Sequence, residues 1–174
     1  MAKILVYTDG DTVKLYLNDQ PVGTKKVRKC KAEFRVRFEP GTLKAVSYRE
    51  GIACAEDILY SAGAERHLTV QCEKERLKAD GQDLAYLDIA ITDESGNIRV
   101  MDDRAIAVKV SGDGVLQALG SADPHTDEGF LQPEHRGYYG RAQAIVRALD
   151  TPGNITVEIS AEGMPSVTRK IITE

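Results

Sequence analysis

Tryptophan is absent from the 174 residues, and phenylalanine and cysteine occur three times each. The missing tryptophan excludes the antibody-type core, in which a buried Trp packs on a disulfide. It also argues against a dedicated sugar-binding module, because such modules lay aromatic faces on pyranose rings and only seven Tyr and three Phe are available. Cys30, Cys54 and Cys72 are an odd number without CxxC spacing, so they fit neither a disulfide framework nor a zinc site. Cys30 and Cys54 stand where a small apolar residue would serve a strand, and free, partly buried thiols are expected. No run of eighteen apolar residues occurs and no apolar segment follows Met1, so a soluble chain without membrane contact or export signal is expected.

Helical periodicity is also scarce, whereas period-two alternation recurs from end to end. Val13, Leu15 and Leu17 share one face of a predicted strand, and Asn18-Asp19 opens the turn after it. Cys30, Ala32, Phe34, Val36 and Phe38 alternate with Lys31, Glu33, Arg35 and Arg37, giving one core face and one wet face before the turn at Pro40-Gly41. Strands are predicted at 43–48 and 52–60 around a tight turn at Glu50-Gly51, and Ser61-Ala62-Gly63 closes this first unit. Further strands are predicted at 67–72, around Leu87, Ile89 and Ile91, and at 106–110, 115–119, 138–149, 155–159 and 167–172, with turns at Ala79-Asp80-Gly81 and Glu94-Ser95-Gly96-Asn97.

The fold class expected from this spacing is all-β, two tandem immunoglobulin-like sandwiches covering residues 1–64 and 65–174. Charge supports the division. The net charge of −4 splits after Ala64 into +3 and −7, and opposite signs favour packing between the two. A unit of about sixty residues is near the lower limit for independent folding, so burial against a neighbouring domain should help it.

Residues 121–137 lack periodicity and carry Pro124, Pro133, two histidines and four acidic residues, which predicts a long loop. Loops of that length tend to be functional or to pack on something. The candidate contact site is therefore Asp123, His125 and Asp127 in this loop, together with Tyr138, Tyr139 and Arg141. Adjacent strand residues face opposite ways, so one of the two tyrosines should point outward, as a glycan platform or a domain contact. Asp123, His125, Asp127 and Glu128 also alternate with a spacing that suits metal ligands, but the pattern matches no EF-hand loop, and neither metal nor cofactor is expected. The basic run Lys25, Lys26, Arg28, Lys29, Lys31, Arg35 and Arg37 sits in an acidic chain without aromatic platforms, so a solvated face or an acidic partner is expected rather than nucleic acid.

Val13-Lys14-Leu15-Tyr16-Leu17-Asn18 with Val22-Gly23, then residues 38–48, beginning Phe38-Glu39-Pro40-Gly41, resemble the small β domain that follows the catalytic barrel in family 2 glycoside hydrolases. Residues 77–85, Asp93-Glu94-Ser95-Gly96-Asn97, Gly112-Asp113-Gly114, Gly120-Ser121-Ala122-Asp123-Pro124 and residues 139–148 resemble the invasin-like, immunoglobulin-like domain that comes after it. Asp19 departs from the pattern, which usually has Gly after Asn, and Met164-Pro165 is an unusual start to a strand.

The resemblance implies a non-catalytic C-terminal region of a β-galactosidase-like parent, whose paired glutamates lie in a separate barrel. Its implied partner is that barrel in the same polypeptide. An oligomeric parent and a weak glycan contact are left open, as is the parent's compartment, bacterial cytoplasm or periplasm. The chemistry agrees. A retaining glycosidase holds two carboxyl groups about 5 Å apart in a cleft, and a barrel that provides one takes about 250 residues. Two further readings are an auxiliary carbohydrate-binding module and a cell-surface adhesion spacer, although spacers usually repeat one domain type and these two units differ.

Overall fold

Fifteen β-strands and no helix make up the computed structural model, which describes Met1–Glu174. The chain is all-β and falls into two compact units, Met1–Ala62 and Gly63–Glu174.

The first unit contains β1 (Ala2–Tyr7), β2 (Thr12–Leu17), β3 (Gln20–Lys26), β4 (Lys31–Val36), β5 (Thr42–Arg49) and β6 (Ile52–Tyr60). They form a two-stranded sheet, β1-β4, and a four-stranded sheet in the order β3-β2-β5-β6. Alternation explains the contact between the sheets: Val13 and Leu15 from β2 meet Ala32, Phe34 and Val36 from β4, and all five are buried. Burial of a Phe or Leu contributes about 1.5–3 kcal/mol each, so this is a small core.

Three tight connections in this unit have positive φ at both central residues, as type I′ turns require. Asn18 and Asp19 adopt φ of 50° and 62°, Lys29 and Cys30 adopt 51° and 58°, and Glu50 and Gly51 adopt 51° and 80°. Asp tolerates this region better than most residues, which accounts for Asp19 in a position usually given to Gly. Two expectations about the thiols are corrected. Cys30 is a turn residue and exposed, not a half-buried strand residue, and Cys54 is exposed as well. Phe38, expected on the core face, lies beyond β4 and is 70% exposed.

The second unit contains β7 (His67–Cys72), β8 (Arg76–Leu77), β9 (Leu84–Thr92), β10 (Ala105–Gly112), β11 (Gly114–Gly120), β12 (Glu134–Arg136), β13 (Arg141–Ala148), β14 (Gly153–Ala161) and β15 (Val167–Thr173). One sheet runs β12-β10-β14-β15-β8 and the other β11-β13-β9-β7. All pairs are antiparallel except β15 with β8. Leu87, Ile89 and Ile91 from one sheet and Ile106, Ile155, Val157, Ile159 and Ile171 from the other fill the space between them.

Two expectations fail here. Residues 138–140 do not extend β13 but form a turn, with Tyr139 and Gly140 at φ of 49° and 69°. The loop expected to run to Gly137 ends earlier, because Glu134–Arg136 pairs with Ala105–Ala107 of β10.

Candidate functional site

The segment between β11 and β13 reaches out from the second sandwich and returns through β12. Its return is anchored on both sheets: the Leu119 N–H donates to the Phe130 carbonyl at 2.8 Å, and the Val108 N–H to the Pro133 carbonyl at 2.8 Å. Phe130 lies over Gly120, where a Cβ would come within 2.5 Å of its ring, so only glycine leaves room for it. The same ring stacks on His135 at 5.6 Å between centroids and 7° between planes.

His135 is the inward residue of β12 and its side chain is wholly buried. Nδ1 lies 2.8 Å from the Arg136 carbonyl, which can only accept, so Nδ1 carries the hydrogen. Glu128 sits 3.2 Å from the same nitrogen and accepts the Arg136 N–H at 2.8 Å. In the neutral ring Nε2 is then an acceptor, and it has no partner.

The expected contact residues occupy this surface without converging. Asp123 accepts the His125 N–H at 2.9 Å, and the His125 ring, 90% exposed, stands 3.7 Å from the same carboxylate. Asp127 is exposed. Tyr138 and Tyr139 do not face opposite ways. The turn brings their rings together at 4.4 Å with a 56° tilt, Tyr138 half-buried and Tyr139 exposed. Arg141 heads β13 with its side chain exposed and exchanges backbone hydrogen bonds with Tyr138. No three His, Cys, Asp or Glu side chains in the chain are grouped as a metal ion would need.

Two carboxylates whose roles sequence reasoning missed organise the C-terminal end of β9, where Arg141 pairs with Ala90. Asp93 accepts from the Gly63 N–H at 2.8 Å, from the Ser95 and Asn97 N–H groups at 3.0 and 2.8 Å, and from Asn97 Nδ2 at 3.0 Å. The Gly63 bond and the Asn97 side chain are the chief reasons why its pKa falls to about 2. The Asp-x-x-Gly-Asn spacing around Gly96, φ 83°, carried that signal.

Asp102 is 9% exposed and faces three guanidinium groups: Arg104 Nε at 2.7 Å, Arg66 Nε at 2.9 Å and Arg99 Nε at 3.7 Å. Burial pushes its carboxyl upward, but hydrogen bonds from Arg104 and Arg66 outweigh that and hold it below the ordinary carboxylate range. Arg99 also reaches the Gly63 carbonyl, so the first residues of this unit are tied to the sandwich that follows them. A structural assignment absorbs both carboxylates. Each is held by donors from its own unit.

A two-sheet sandwich with short antiparallel strands and a carboxylate-bound leading segment defines the class; comparison with known proteins defines the family. Residues 68–170 match the model of the glycoside hydrolase family 2 C-terminal domain 5, and residues 1–55 match a domain of unknown function. The chain belongs to the family of C-terminal domains of glycoside hydrolase family 2. A β-galactosidase of Bacteroides ovatus is 27% identical over 170 residues, which are 97% of this chain and 20% of that protein. A β-galactosidase of Thermoanaerobacter pseudethanolicus is 23% identical, covering 90% of this chain and 22% of its own. A solved glycosyl hydrolase family 2 member of Bacteroides cellulosilyticus superposes with a TM-score of 0.94 at 26% identity, over 99% of this chain and 23% of that one. The chain thus spans about a fifth of the length of the curated relatives it matches.

Proposed function

We propose that this chain is the non-catalytic C-terminal region of a β-galactosidase-like glycoside hydrolase, with a packing or rim-shaping role beside the catalytic barrel of the same polypeptide. Residues 1–64 serve as the small sandwich after the barrel and residues 65–174 as the C-terminal immunoglobulin-like domain. The observation that carries this reading is the whole-length match to one fifth of two β-galactosidases. The disposition of carboxylates supports it. Asp93 and Asp102 are consumed in structural bonds, and Asp123 and Glu128 each accept a backbone N–H.

The purified chain is expected to leave a chromogenic β-galactoside intact. Turnover that disappears in Asp127→Asn or Glu134→Gln would overturn the proposal. A second reading, an auxiliary glycan contact, is favoured by the exposed ring of Tyr139, which packs on Tyr138 two residues before the exposed Arg141. Calorimetric titration with galacto-oligosaccharides decides it. Heat that vanishes in Tyr139→Ala supports the contact, and no heat with any sugar removes it.

A further inference from the structure

The first unit sets four strands against two, and the mismatch falls on one side. β4 approaches β3, with Glu33, Phe34 and Arg35 facing Val22 to Lys25 across a shallow groove. β1 lies over Leu15, Leu43 and Ala45, so no strand of this unit stands over β6. The inner face of β6 is consequently bare: Leu59, paired with inward Leu43, is 62% exposed, and Asp57, paired with Ala45, is the one charged residue beside it. Between β1 and β6 runs an apolar cleft of about 200 Å³, whose walls include Ala2, Ile4, Val36, Leu43 and Leu59. The outer edge of β1 has no strand partner, because β4 is its only one. An unpaired strand edge beside an uncovered apolar face is the geometry that takes an added strand.

We propose that an extended, alternately apolar segment of the parent polypeptide, lying N-terminal to residue 2, pairs with the free edge of β1 and covers Leu59. The inference rests on the reading of this chain as the C-terminal part of a longer hydrolase. The matched relatives place about four fifths of their length outside this region. The matched model is of a C-terminal domain, which puts polypeptide of the parent ahead of β1, and Ala2 itself lines the cleft. A strand added there brings the narrow sheet to three strands and places its inward side chains on Leu43 and Leu59. Alternation is required of it, since one face meets the cleft and the other meets water.

Hydrogen exchange of the 174-residue chain and of the full parent tests this. In the parent, amides of β1 should exchange at least about 100-fold more slowly than in the isolated chain, and Leu59→Lys should remove most of that gain. The same substitution should leave the isolated chain's unfolding midpoint unchanged, because Leu59 is exposed there. Equal β1 exchange in chain and parent would overturn the proposal. So would dimerisation of the isolated chain that Leu59→Lys abolishes, since a second copy would then be the occupant. Glycosidase assay of the parent separates the two ideas: an inactive parent with protected β1 sinks only the hydrolase reading, and an active parent with unprotected β1 sinks only the docking.

Discussion

The second unit has fewer than twice the residues of the first, yet it gathers eighteen buried apolar side chains in one cluster where the first gathers five. The difference is one of matched layers. Five strands face four in the second unit, so both inner faces are covered and Leu87, Ile91, Ile106, Ile155 and Ile159 have no measurable exposure. Two strands face four in the first, and Leu59 on the inner face of β6 is left in water. Small domains bury a smaller fraction of their surface and depend more on what surrounds them. The comparison teaches that alternation alone does not make a closed core, because an opposing sheet of equal width must exist to receive it.

The sharpest way to break this contrast is Phe34→Ala. Removal of a buried Phe costs about 3–5 kcal/mol, enough to unfold the five-residue core while the second unit keeps its transition. Urea titration followed by NMR should show β1–β6 resonances lost and β7–β15 resonances intact. Preserved β1–β6 resonances would mean that the first unit is far more stable than its burial implies.

Asp102→Ala should cost the second unit about 3 kcal/mol, because Arg99 and Arg104, both largely covered, lose the carboxylate they share. A shift in urea midpoint without change of slope would measure it, and no shift would sink the assignment.

Acid should then distinguish the units by Asp93. Its pKa in the folded chain, about 2, lies below the unfolded value of about 3.9. Its contribution is therefore complete above about pH 4 and is lost as pH falls toward 2. Asp93→Asn should flatten the loss of second-unit stability over that window and leave the first unit's acid profile unchanged. An unaltered acid limb would contradict the sign.

The smallest expected effect belongs to Arg76→Ala. Arg76 meets Glu174 at 2.8 Å, but both side chains are more than 60% exposed, and such pairs contribute about 0–1 kcal/mol. A midpoint change above that range would show that β8 depends on the pair for its place beside β15.

Strands with one buried face and one wet face were legible before the fold was known: β4, β9, β13 and β14 follow from alternation. β3 was not, because every residue from Gln20 to Lys26 is exposed and no apolar pattern marks it. β1 escaped because Leu5 and Tyr7 fill its outward face, blurring period two. β12 is three residues long and depends on β10, 27 or more positions away in sequence, so no local signal announces it. The candidate surface was read only in outline. The loop beginning at Ser121 was visible from its composition, but its anchors, Phe130 over Gly120 and Glu128 beside His135, are contacts that spacing does not encode. The paired tyrosines were misread for a different reason: Gly140 takes φ of 69° and turns the chain just where continued alternation suggested a strand.

The opposite border of the wide sheet behaves unlike the one beside β6. Pro21 brings no N–H to β3, and Lys25 and Lys26 stand exposed along the same strand. A newcomer aligned there would find a missing donor and two positive charges to desolvate. That margin is a selvedge, and lateral growth of the sheet into fibres is blocked at it by the covalent structure of a single ring.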